Sequence, residues 1–196
     1  MIKIILCMIV KNESRIMERC LSNALPIIDA ISICDTGLTD NTIEVIENFC
    51  KTKDLKGCVY SDPWKNFGHN RSRSFKFCVE TAKQLNYDLD KTYALLLDAD
   101  MNLVIKPSFQ KQKLFADGYL LIQKNSVLTY YNTRLVKLSK PRICHGVTHE
   151  YWGADKAQNS KLDDLFIDDI NDGGCKSDKY ERDIRLLTQG IEDEPN

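Results

Sequence analysis

The chain has 196 residues, 43% of them hydrophobic and 28% charged, a length that fits one domain and a composition that excludes extensive disorder. Twenty-seven basic residues against 28 acidic ones leave a net charge of -1, so no global positive field exists to hold a nucleic-acid backbone, and no basic stripe runs along the chain. The longest apolar run, residues 4–10, is cut off by Lys11 and Asn12; it is too short to span a bilayer and no small-residue cleavage site follows, which predicts no transmembrane segment and a cytoplasmic location.

In chain order, residues 2–10 read as a nearly continuous buried strand interrupted by Lys3. Ser14 is placed to cap a helix with Ile16, Met17, Cys20, Leu21 and Ala24 on one side, stopped by Pro26. A second strand covers 30–34, a turn follows at Asp35-Thr36-Gly37, and Thr39 or Asp40 then caps a helix through Ile43, Ile46 and Cys50. Residues 58–61 form a third strand, 72–85 a helix with Phe75, Cys78, Ala82 and Leu85 at helical spacing, and 93–97 a fourth strand, apolar throughout as a strand covered on both faces is. That rhythm predicts a parallel sheet with right-handed crossovers and ligands at the carboxyl ends of its strands. After Asp100 it changes: 118–123, 127–138 and 143–152 read as strands of an antiparallel extension. The polar stretch 153–164 reads as an exposed loop, 165–170 as a last strand, Asn171-Asp172-Gly173-Gly174 as a turn, and a final helix from Ser177 or Asp178 sets Tyr180, Ile184, Leu187 and Ile191 on one face before an acidic tail from 192. The eight cysteines include no C-x-x-C pair, so zinc knuckles and thioredoxin-type sites lack support and reduced, structural thiols are expected.

Five segments could carry chemistry. Asp98-Ala99-Asp100 leaves a buried strand with two acids one residue apart, enough for a magnesium or manganese ion that completes its shell with water and phosphate; a solvated strand end would look the same. Asp35, at another strand end before a helix start, could accept from a base or ribose or simply close a turn. Arg71 and Arg73 sit near a helix start, against the helix dipole, which implies a carboxylate or phosphate partner unless both are solvated. His145-Gly146-Val147-Thr148-His149-Glu150 lacks the zinc-protease order and reads as strand, where His149 and Glu150 would point oppositely unless the strand bends. Gly173-Gly174 entering a helix with Lys179 and Arg182 could close over a diphosphate or be a surface turn.

Taken in order, these pieces resemble the family 2 glycosyltransferases of the GT-A fold. The matching residues are Met8 to Glu13, Asp35-Thr36-Gly37 with Thr39-Asp40, Asn66-Phe67 with Asn70-Arg71, Asp98-Ala99-Asp100, His149-Glu150, and Gly173-Gly174 with Lys179 and Arg182-Asp183. The resemblance covers nearly the whole chain and is nearest to the subgroup whose catalytic domain precedes a C-terminal repeat or other region. This chain stops where that continuation would begin, as a truncated piece or a minimal version of it would. Leu38 departs from the small Ser usual at its position.

The resemblance implies an α/β, Rossmann-like mixed sheet with a parallel N-terminal half, an antiparallel C-terminal extension and helices on both faces. Residues 1–100 would be the nucleotide-binding half and 101–190 the acceptor-side half of a single domain. It implies a nucleotide-sugar donor, most often a UDP-sugar, an Mn2+ or Mg2+ cofactor, and a glycan, lipid or protein acceptor. Val10, Asn12, Glu13 and Asp35 would hold base and ribose, steadied by Arg71. Asp98 would face ribose or metal, Asp100 and His149 the metal. Lys179 and Arg182 would neutralise the leaving group. Inverting transfer needs one general base, with Glu150 first and Asp172 and Asp183 as substitutes. Two other readings stay open: an inactive sugar-nucleotide-binding module, and a haloacid-dehalogenase-like phosphatase using Asp98 as nucleophile.

Overall fold

The structure is a computed structural model that describes residues 1–153, 156–173 and 179–193. Its first half is β1 (Lys3–Val10), α1 (Ser14–Ala24), β2 (Ala30–Asp35), α2 (Thr42–Lys53), β3 (Lys56–Ser61), α3 (Phe67–Gln84) and β4 (Thr92–Leu96). The four strands pair in parallel in the order β3-β2-β1-β4. The second half adds β5 (Met101–Ile105), β6 (Gly118–Lys124), β7 (Thr129–Lys137), the hairpin β8 (Ile143–His145) and β9 (Tyr151–Gly153), β10 (Asn159–Asp169) and α4 (Lys179–Asp193). The main sheet runs β3-β2-β1-β4-β7-β6-β10-β5. β7 is antiparallel to β4 and to β6, β10 is parallel to β6, and β5 is antiparallel to β10. This is the expected mixed sheet, parallel first and antiparallel after.

Helices cover both faces. Met17, Cys20, Leu21 and Ala24, at helical spacing, bury one side of α1 in the larger core with Ile4, Leu6 and Leu95. On the opposite face, Phe75, Cys78 and Ala82 of α3 pack on Ile5, Cys7 and Leu96. The sheet curls. β4 and β5 stand four strand positions apart in the hydrogen-bonded order, about 19 Å in a flat sheet. Yet the chain between them closes a tight turn in which Met101 N donates to Asp98 O at 3.0 Å, and such a turn spans under about 7 Å. β5 therefore folds back toward β4, and its Leu103 joins the core beneath α1.

Several elements differ from the sequence reading. Glu13, not Ser14, takes the cap position of α1, and no side chain of its own caps the helix. Asp40 of the neighbouring loop accepts from Ser14 N at 3.2 Å and from Thr42 N at 3.0 Å, so one carboxylate closes both helix starts. α3 begins at Phe67 rather than 72 because Asn66 Oδ1 accepts from His69 N at 2.8 Å. The single strand expected over 143–152 is the β8–β9 hairpin, broken where Gly146 takes φ +100° and His149 φ +52°. Part of the expected loop 153–164 is the start of β10, whose residues 159–161 pair with β6. β5 was not expected at all. Tyr180, Ile184, Leu187 and Ile191 do share a face of α4, but an exposed one; among the helix's described side chains Leu186 is the buried one. The proposed helix start at 177–178 and the end of the tail, 194–196, lie outside the described residues. Among the described residues no helix is long and apolar enough to cross a membrane.

Candidate functional site

A cleft of about 440 Å³ opens at the carboxyl ends of β1 and β4, where ligands of open parallel sheets bind. Val10 and Glu13 reach it from the end of β1, Asp98 and Asp100 from the turn after β4, and Arg71 from the first turns of α3. His149 and Glu150 arrive on the β8–β9 loop, and Arg182 and Asp183 on α4. In place of the strand read from the sequence, the chain bends at His149, and His149 and Glu150 both line the cleft.

Four of the named residues stand otherwise. Asn12 grips the next loop, donating to Thr39 Oγ1 at 2.9 Å and accepting from Thr39 N at 2.8 Å. Asp35 Oδ1 accepts from Gly37 N and Leu38 N at 2.6 and 2.8 Å, closing its own turn. Asp172 forms a two-pronged pair with Arg19 of α1, 2.7 Å on each prong. Lys179 opens α4, and its side chain lies outside the described residues, as does Gly174.

Arg71 is the centre of the site. Its Nη1 donates to Asp98 Oδ1 at 2.7 Å and its Nε to Glu150 Oε1 at 2.6 Å, with 13% of the side chain exposed. The arginine predicted to need a partner thus has two. Burial alone would lower its guanidinium, but Asp98 and Glu150 outweigh it and the group is held above its ordinary value. Burial likewise pushes Asp98 up, and Arg71 and Arg134 reverse that, leaving its carboxyl below the usual range. Phe67 lies under both Arg71 and Arg182, 5.8 and 5.2 Å from ring centroid to guanidinium carbon.

Arg134 carries no signal in the sequence. It is the extra residue of a β-bulge: Tyr119 pairs with Leu135 and Leu120 with Thr133. A bulge re-aims a side chain, and here the guanidinium turns inward, 3.9 Å from Asp98 Oδ2 and 2.8 Å from Gln123 Oε1. Gln123 passes the linkage on, donating to Asp169 Oδ2 at 2.9 Å. Asp169, Trp64 and Arg185 also line the cleft and were not singled out in the sequence.

The two acids of the β4 turn differ in their fit to the expected divalent ion. Asp98 is turned onto two arginines, and among the described residues no three His, Cys, Asp or Glu side chains gather as a metal cluster. Asp100 and Glu13 do converge: Asp100 Oδ2 and Glu13 Oε1 each lie 3.3 Å from where a Cβ on Gly173 would stand. Two carboxylates converging beside Gly173 fit Mg2+ or Mn2+, ions that take one or two protein carboxylates and the rest from water and phosphate. Arg19 anchors the 171–173 turn there through Asp172, and Ile170 N donates to Asp100 O at 3.1 Å.

No protein-family model and no curated protein matches the chain. Among solved structures it is similar to the mannosyltransferase PcManGT from Pyrobaculum calidifontis, solved with GDP-Man and Mn2+, at 9% identity over 98% of this chain and 65% of that one, with a TM-score of 0.55. It is also similar to S. aureus TarS residues 1–349, at 15% identity over 65% of this chain and 37% of that one, TM-score 0.45. For full TarS the values are 14%, 97%, 40% and 0.48. The chain thus spans less than two thirds of each of these proteins. What is shared at such identity is the fold, a mixed, curled α/β sheet of the glycosyltransferase type.

Proposed function

We propose that the protein moves a sugar from a nucleotide-sugar to an acceptor hydroxyl with inversion, as a family 2, DxD-type glycosyltransferase. The observation that carries this reading is the cleft itself. At the ends of parallel strands it opposes acids on the β4 turn to cations on α4, Arg182 and Arg185, as a donor with an anionic diphosphate and an electron-poor sugar requires. In this reading Val10 and Glu13 border base and ribose, while Asn12 and Asp35 shape the loops around them. Asp98, fixed by Arg71, faces the ribose. Lys179 and Arg182 neutralise the departing diphosphate. Asp100, with Glu13 and His149 near it, would hold Mn2+ or Mg2+, which when bound neutralises charge on the leaving group. UDP-sugars are the first candidates; GDP-sugars belong beside them, since PcManGT was solved with GDP-Man.

Glu150 is the proposed base. Arg71 holds one of its oxygens and thereby fixes the carboxylate's orientation, leaving the other to take the proton of the attacking hydroxyl. Asp183, which accepts from Thr148 Oγ1 at 3.3 Å, is the next candidate. Asp172, with both oxygens on Arg19, is a poor one. A carboxylate clamped as Asp98 is makes a weak nucleophile, which weighs against the phosphatase reading.

Calorimetry with UDP- and GDP-sugars, with and without Mn2+, tests the reading together with turnover. Asp100→Asn should abolish metal-dependent transfer in a folded protein. Glu150→Gln should preserve donor binding and cut turnover by about 10²–10⁴-fold. Full turnover in Glu150→Gln would move the base to Asp183. Tight donor binding with neither transfer nor hydrolysis would make the protein an inactive binding module.

A further inference from the structure

The antiparallel half of the sheet places one exposed ring beside the cleft. β6 and β10 run in the direction of β4, and β7 and β5 run against it. The ends of β6 and β10 and the starts of β7 and β5 therefore all lie at the edge where Asp98 stands. Register sets the face. Tyr130 pairs with Gln123, Gln123 with Ile167, and Asp169, two residues further along β10, with Met101. Paired and alternate residues share a face, so Tyr130, Gln123, Asp169 and Met101 form a row on one side of the sheet. Asp169 and Met101 line the cleft.

The row has a fixed polar floor. Gln123, 3% exposed, accepts from Arg134 Nη2 at 2.8 Å and from Asn132 Nδ2 at 3.3 Å while donating to Asp169. Tyr130 is different: 42% of it is exposed, and among the described residues its phenol makes no hydrogen bond. Partial burial pushes that phenol upward, opposed by Arg134 and aided by Asp169 and Asp98. Tyr131, next in sequence, faces the other way, its hydroxyl on Asp163 at 2.8 Å and Lys161 over its ring.

We propose that Tyr130 is the platform of the acceptor subsite, and that the acceptor group stacked on it is a neutral sugar ring. This rests on the glycosyltransfer reading of the cleft and extends it to the second substrate. A pyranose has an apolar C–H face and a rim of hydroxyls. It matches an amphipathic ring in a row that leads across Gln123 to the carboxylate of Asp169, with the amide of Asn132 on the same face. Charge sets the class. A carboxylate stands at the rim, Arg134 is buried beneath Gln123, and Lys124 lies over Phe166 on the opposite face. Among the described residues of β5, β6, β7 and β10, this face offers no exposed cation to offset Asp169 for a phosphorylated or carboxylated ring; Arg182 and Arg185 belong to α4, away from this row.

The test titrates the full chain with neutral methyl glycosides and with the matching sugar phosphates, followed by NMR. The proteins are wild type, Tyr130→Ala, Tyr130→Phe and Tyr131→Ala, each checked for an unchanged melting transition. A neutral glycoside should bind more tightly than its phosphate. Tyr130→Ala should weaken it about tenfold, the equivalent of a lost stacking contact. Tyr130→Phe should stay within about threefold and Tyr131→Ala should match wild type. The assignment is overturned if no neutral glycoside binds, if phosphates bind as well as neutral rings, if Tyr130→Ala binds like wild type, or if Tyr131→Ala loses as much. Nucleotide-sugar binding is read separately. Its absence, with glycoside binding still dependent on Tyr130, would remove the transferase reading and leave a sugar-binding site.

Discussion

Arg71 and Asp98 come from distant parts of the chain, and each explains the other's burial. Two carboxylates and a guanidinium withdrawn from water are tolerated because each satisfies the other's charge. Asp98 keeps about a quarter of its side chain exposed, which moderates the pair's strength. Removing Asp98 leaves the largely buried charges of Arg71 and Arg134 short of a partner, so Asp98→Asn should cost about 2–3 kcal/mol at neutral pH by urea denaturation. The sign with pH follows from the lowered carboxyl of Asp98. Its folded value lies below the unfolded one, so its contribution is complete above roughly pH 4 and is lost as pH falls through the folded value. The stability gap between wild type and Asp98→Asn should therefore narrow below about pH 4. A gap that widens on acidification would contradict the pairing.

At the level of elements, α3 and the β8–β9 hairpin act as one unit. Phe67 N and Gly68 N donate to Val147 O and Gly146 O at 3.2 and 3.0 Å, so the start of the helix is stitched to the loop that carries His149 and Glu150. Ser72 adds a bond to Cys144 N at 2.9 Å. The close approach depends on glycine: a Cβ at Gly68 would stand 2.5 Å from Gly146 O, a backbone atom that can yield only if the loop moves. Gly68→Ala should cost about 1–3 kcal/mol. In the proposed reaction it should also lower turnover by displacing Glu150 from Arg71, with donor affinity less affected. Equal turnover in this variant would show that the loop's seat on α3 does not matter to the chemistry.

Across the whole molecule, a curled sheet under helices on both faces hides most of the thiols. Cys7, Cys20, Cys34, Cys78 and Cys144 are buried and reduced, while Cys50 and Cys58 are half-buried. Burial pushes Cys20 and Cys34 up to about 12, so little thiolate exists at neutral pH. Among the described cysteines, a thiol reagent should therefore label Cys50 and Cys58 first and reach the five buried thiols only as fast as the protein opens globally, a rate read by mass spectrometry along a denaturant series. Fast labelling of Cys20 under native conditions would mean that the packing of α1 on the β4–β5 turn opens locally.

The parallel half of the fold was legible in the sequence because it is built from local patterns. Apolar runs such as 2–10 and 93–97 fix buried strands, the spacing of Met17, Cys20, Leu21 and Ala24 fixes a helix face, and the acids at the strand ends fall where such sheets bind ligands. Arg71's need for a partner could also be read locally, from a cation set against a helix dipole. Its partners could not, because Asp98 and Glu150 reach it only across the folded sheet. β5, the bulge at Arg134 and the exposed ring of Tyr130 were invisible for the same reason. Strand pairing and register are contacts between segments far apart in the chain, and only closure of the sheet decides which residues share a face.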